Sequence, residues 1–128
     1  MECVYFNLNP YQLHVRDCVY RGVAYFLNET WKSAVKRMVN HAIKDGNVNF
    51  NYTTNIVDCM ENQGYKRFKA PEKGITVGRF GDVYAKTDKV YMIHIKKPQH
   101  ITIIDDRQLM DIWDCRECVM DWYFERQK

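Results

Sequence analysis

Gln12, Asp17, Cys18, His100 and Asp111 are the residues whose types and spacing can do nucleophilic chemistry. Asp17 is a good helix N-cap residue, which places Cys18 in the first turn of a helix over 18–27. A thiol there feels the positive end of the helix dipole, which favours thiolate over thiol. Thiolate is the nucleophilic form. Such a nucleophile needs a base, a group that orients the base, and donors for the oxyanion. His100 opens an apolar run and can supply the base. Asp111, eleven residues further on, can orient it. Gln12 and the Cys18 backbone N–H can supply the donors.

Each candidate has a plainer reading. Free cysteine is among the most buried residue types, so Cys18 can be a core residue. His94, between Ile93 and Ile95, is the rival to His100, and a packed position suits it better. His14 reads as an exposed loop residue, and His41 as a solvated one off the apolar stripe of its helix. Asp114 competes with Asp111, but a strand over 108–111 paired through the turn at Asp105 and Asp106 brings Asp111 near His100. Trp31 and Trp113 read as core. Cys115 and Cys118 form a lone Cys-x-x-Cys, and structural zinc needs four ligands. No second pair exists, so neither a metal nor a cofactor is expected, and no thioredoxin-like strand-to-helix context surrounds the pair.

The elements that must position these groups are legible from periodicity. Val4–Leu8 reads as an edge strand or an extended lead-in, ended by the turn signal Asn9-Pro10. Helix one carries Val19, Val23, Phe26 and Leu27. Helix two, capped by Thr30, runs from Trp31 through Ala34, Val35, Met38, Val39, Ala42 and Ile43 at helical spacing and ends at Asp45-Gly46. Residues 47–55 read as loop. Thr53 or Thr54 can cap a short helix through Ile56, Val57 and Met60, stopped by Gly64. A short strand over 65–68 follows, then a loop over 70–74 and a helix over 76–85 weakened by Gly78 and Gly81. Strands over 90–95, 100–104, 108–111 and 119–124 complete the chain. Helices first and an antiparallel sheet second predict one α+β domain over 1–128.

Composition sets the class. Apolar residues make up 46% and aromatics 14%, which suits one packed core in 128 residues. A net charge of +3 makes no case for nucleic acid. No apolar run reaches the roughly 20 residues of a membrane span, and no signal peptide is visible at Met1. Five cysteines without a pairing pattern suggest a reducing cytosol.

The order Cys, His, Asp resembles that of papain-like peptidases. Gln12-x4-Asp17-Cys18 resembles the Gln-x4-Asp-Cys of the bacteriocin-processing (C39-type) peptidases, with Val19 where they have Gly. The chain is also similar, from about Asn9 to Phe124, to small papain-like proteins of phages and Gram-positive bacteria. The matching residues are Asp17, Cys18, Arg21, Gly22, Thr30, Trp31, His100, Asp105, Asp111, Trp113 and Asp114. Arg16, Asp106 and Ile112 depart from that pattern. The resemblance implies a papain-like fold with helices on an antiparallel sheet. It also implies a thiol hydrolase cutting peptide, isopeptide or side-chain amides, in the host cytosol if phage-encoded. The alternative it leaves open is a silent fold that binds a host protein or sequesters a small molecule.

Overall fold

A computed structural model of the chain describes residues 1–47 and 53–128. They form strands β1 (Cys3–Tyr5), β2 (Arg67–Lys69), β3 (Lys89–Ile95), β4 (His100–Asp105), β5 (Gln108–Asp111) and β6 (Met120–Gln127). The helices are α1 (Cys18–Phe26), α2 (Trp31–Asp45), α3 (Thr53–Asn62) and α4 (Val77–Val83). The six strands make one sheet in the order β1-β5-β4-β3-β6-β2. The class is α+β, as the sequence predicts.

Two features of the sheet differ from expectation. It is mixed, because β1 joins β5 in parallel, with Tyr5 opposite Asp111. A parallel neighbour needs a long connection, and more than 100 residues of helix and sheet lie between these two strands. The sheet is also covered on both faces. Val23, Phe26, Met38, Ile56 and Met60 pack one face with Met92, Ile101, Ile103 and Phe124. Val77 and Phe80 of α4 pack the other with Tyr91, Ile93, Ile95, Ile104 and Leu109. Alternate residues of β3 therefore enter different cores, and an apolar run with no polar alternation is what a strand buried on two sides requires.

The helices follow local rules. The Thr30 hydroxyl accepts the Ser33 N–H, and Gly46 ends α2 at φ 77°, in the left-handed region open to glycine. Only Ala34, Met38 and Ala42 of the α2 stripe are fully buried, and Ile43 is 70% exposed. The packed face is narrower than the apolar pattern: among the described residues, α2 packs chiefly against α1 and α3. The loop read over 47–55 and the caps proposed at Thr53 and Thr54 lie largely outside what the structure describes; Asn55, read as loop, is a buried residue of α3. The strand read over 65–68 lies at Arg67–Lys69. No helix among the described residues is long and apolar enough to cross a membrane.

One contact fixes how α1 meets the sheet. A Cβ built on Gly22 would stand 2.5 Å from Ile101 Cγ2. A glycine at this point lets the helix backbone lie directly on β4, one residue from His100.

Candidate active site

The three-residue core of the expected site is assembled. Cys18 opens α1, His100 opens β4 and Asp111 closes β5. The β4–β5 register, Asp105 opposite Gln108 and Ile103 opposite Met110, carries Asp111 to the level of Thr102, two residues along β4 from His100. His100 Nε2 donates to Asp111 Oδ2 at 2.6 Å, with both groups buried. Cys18, His100 and Ile101 line one cleft, and the thiol and the imidazole stand close enough to shift one another's titration.

The electrostatics follow from this packing. Burial by itself would push the Cys18 thiol up, but the hydrogen bond and charge of His100, the Ile101 N–H and Arg21 outweigh it and hold the thiol below its usual range. Burial would likewise lower His100, yet Asp111, Cys115 and Cys18 push it up to about 11. Asp111 is buried, which opposes ionisation, and His100 and Arg21 nevertheless hold its carboxyl below the ordinary range. The three shifts point the same way: a more acidic thiol beside an imidazole that holds its proton against a carboxylate.

Arg21 entered the sequence reading only through the resemblance, with no role assigned to it. Its Nε donates to Asp17 Oδ1 at 2.7 Å and its Nη1 to Asp111 Oδ1 at 3.0 Å. It clamps the start of α1 to the end of β5. The i, i+4 spacing of Asp17 and Arg21 on one helix was the available signal. Asp17 is the N-cap residue of α1, as expected, but its side chain makes no capping bond: the carboxylate receives Arg21, Asn9 Nδ2 at 3.1 Å and Trp31 Nε1 at 2.9 Å. Trp31, read as core, is half-buried and holds that carboxylate.

Gln12 sits differently from expectation. Its side-chain N–H groups donate to the carbonyls of Asn7 at 3.1 Å and Asn9 at 3.0 Å, and its backbone is left-handed at φ 54°. An amide has two N–H donors, so both are engaged within this loop. Gln12 braces the turn that delivers Asn9 to Asp17, and it is not among the residues lining the cleft beside Cys18.

The other candidates resolve physically. Asp114 is exposed and paired with Arg116 at 2.7 Å, so Asp111 and not Asp114 is the carboxylate that meets His100. His14 is exposed and meets the Tyr5 hydroxyl at 2.8 Å. His41 is half-buried, 3.0 Å from Asp45. Trp113 lies with its ring centroid 4.9 Å from that of His100 and its indole nitrogen 3.1 Å from Nε2. One nitrogen cannot both donate to Asp111 and accept from Trp113. The shorter bond to a buried carboxylate prevails, and Trp113 serves as a wall over the imidazole.

Cys115 is buried, with its sulfur 3.8 Å from Asp111 Oδ2. His100, Asp111 and Cys115 offer three donor atoms within 4.8 Å of one another. They fit a cation poorly, because the Arg21 guanidinium already stands at 3.0 Å from the same carboxylate.

A cleft of about 570 Å³ opens over the site, a size that suits part of a peptide. Its walls include Val15, Arg16, His94, Pro98, Ile112 and Trp113 beside Cys18 and His100. Comparisons of the chain with protein-family models, curated proteins and solved structures find no match.

Proposed function

We propose that this chain is a cysteine hydrolase of papain-like type, acting on peptide or isopeptide amides. The observation that carries the reading is His100, bonded through Nε2 to a buried Asp111 and sharing one cleft with the Cys18 thiol at a helix start. The Cys18 thiolate attacks the amide carbonyl carbon, and the oxyanion forms beside the Cys18 backbone N–H, one of the first-turn amides that a helix leaves without internal partners. His100 gives its proton to the departing amine, and the C–N bond breaks to leave a thioester. Water then attacks the thioester as His100 takes its proton, and the C–S bond breaks to release the carboxylic acid and restore the Cys18 thiolate beside a protonated His100. Asp111 holds the imidazole orientation throughout. The family resemblance adds the papain-like fold and a cytosolic setting in a bacterial host.

A binding protein on the same fold is the second reading. Tyr11, Leu13 and Val15 are each about half exposed, between 49% and 62%, on the loop leading to Cys18. Such side chains suit a partner surface. The experiment that separates the readings uses Cys18→Ala and His100→Ala. Hydrolysis predicts folded variants that no longer cleave an amide substrate found by peptide-library screening and no longer support biological activity. Full biological activity of a folded Cys18→Ala protein overturns the enzyme reading.

A further inference from the structure

The cleft over Cys18 has a one-sided charge. None of its lining residues is Asp or Glu, while Arg16, Arg21 and His100 all belong to its wall. The carboxylates that adjoin these residues are engaged elsewhere. Asp17 and Asp111 receive the Arg21 guanidinium, Asp121 meets His94, and Asp114 pairs with Arg116. Arg16 stands apart from these pairs. It is exposed, and among the described residues no carboxylate meets it. The turn that adds Pro98 and Gln99 to the wall begins with the exposed Lys96 and Lys97.

The backbone fixes where Arg16 starts. The Asp17 N–H donates to the Val15 carbonyl at 2.8 Å, which makes Arg16 the middle residue of a three-residue turn. Asp17, next in the chain, is buried and tied to Asn9, Arg21 and Trp31. Cys18 follows it, so the α-carbons of Arg16 and Cys18 are at most about 7 Å apart. Both residues line the same cleft. A cleft lined by one sign of charge concentrates the field and attracts the opposite charge. A guanidinium also matches a carboxylate in shape, because its N–H fork meets two oxygens at once.

We propose that Arg16 sets the substrate preference, pairing with an acidic side chain of the peptide close to the attacked amide. This rests on the cysteine-hydrolase reading and names the class of peptide that the cleft takes. Arg21 and Arg116 are occupied by carboxylates of this chain. The Arg16 guanidinium meets one that arrives with the substrate.

The test uses the full chain and three methanethiosulfonates of different charge: methyl (neutral), 2-carboxyethyl (anionic) and 2-aminoethyl (cationic). Peptide mass spectrometry gives each rate at Cys18, which is divided by the same reagent's rate with 2-mercaptoethanol. In the wild type the anionic reagent should outpace the cationic one at least about fivefold, the scale of one good ion pair at a surface. Arg16→Gln should cut that ratio at least about threefold, and Arg16→Glu should bring it to about one or below. Arg16→Lys keeps the charge and should retain most of the ratio. Lys36→Gln, an exposed position on α2, should leave it unchanged. The neutral reagent corrects for any change in the thiol itself, and circular dichroism verifies that the variants are folded. A positional library of acetylated, amidated peptides, in which only side chains carry carboxylates, then reads substrate choice. At one position near the cut, Glu should be favoured over Gln at least about fivefold by the wild type and not by Arg16→Gln. A ratio near one in the wild type, an undiminished ratio in a folded Arg16→Gln protein, an equal drop in Lys36→Gln, or cleavage without acidic preference overturns the role of Arg16. Slow labelling of Cys18 by the neutral reagent at pH 7, relative to the other cysteines, or no cleavage of any peptide instead overturns the hydrolase reading and the role of Arg16 with it.

Discussion

The reactive state of Cys18 depends on one imidazole. Burial pushes the thiols of Cys3, Cys59 and Cys118 up, whereas His100 brings that of Cys18 down. At pH 7, iodoacetamide should therefore modify Cys18 at least about tenfold faster than those three, and His100→Ala should remove the advantage. Peptide mass spectrometry at short labelling times checks this, and preferential labelling of Cys59 would sink it. Asp111 and Cys18 should also differ in what their loss costs. Asp111→Ala leaves Arg21 and the His100 imidazolium without their shared buried partner, and should destabilise by about 3 kcal/mol or more. Cys18→Ala removes one half-buried sulfur at the cleft and should cost less than about 1 kcal/mol. Urea unfolding of the two variants gives the comparison directly.

At the scale of elements, the site is a junction between one helix and two strands. α1 supplies Cys18 and Arg21, β4 supplies His100, and β5 supplies Asp111. β1 backs β5 on its outer edge, and the Phe6 N–H bonds the Asp111 carbonyl at 2.9 Å. The helix can approach only because residue 22 has no side chain. In Gly22→Ala the added carbon meets Ile101 Cγ2, a methyl on a β-branched side chain with little freedom to move aside. Alanine is the better helix former by about 1 kcal/mol. Overpacking of 1–3 kcal/mol should still prevail, giving a lower melting temperature and slower Cys18 alkylation as the helix shifts from His100. An unchanged or raised melting temperature would show that the interface yields.

For the whole molecule, the site makes stability depend on pH. His100 is raised from 6.5 to about 11 on folding. A raised group stabilises fully below its unfolded value, and the contribution is lost as pH rises through the folded value. Stability should thus decline from about pH 6.5 towards 11 on account of His100. Asp111 is lowered, so its contribution is present above the ordinary carboxylate range and is lost in acid. Denaturation midpoints across pH 5–10 should show the alkaline decline in the wild type and a flatter profile in His100→Ala. An identical slope in both would mean that His100 does not carry the proton in the folded state.

What the sequence determined by itself was local. Periodicity located α1, α2, β3, β4 and β5 within a residue or two, because helix and strand spacing are properties of the chain over one or two turns. The reach of β5 back to β4 through a tight turn was also local, and so the pairing of His100 with Asp111 was legible. What only the tertiary structure decided involved partners far apart in sequence. β1 joins β5 in parallel across more than 100 residues, and no short-range pattern marks that. Gln12 and Asp17 have the residue types for an oxyanion donor and a helix cap, yet each is used elsewhere. Gln12 satisfies its own loop, and Asp17 neutralises a guanidinium that must be buried beside Asp111. A residue type states which bonds are available; the fold decides which of them the surrounding charges and unpaired backbone groups claim first.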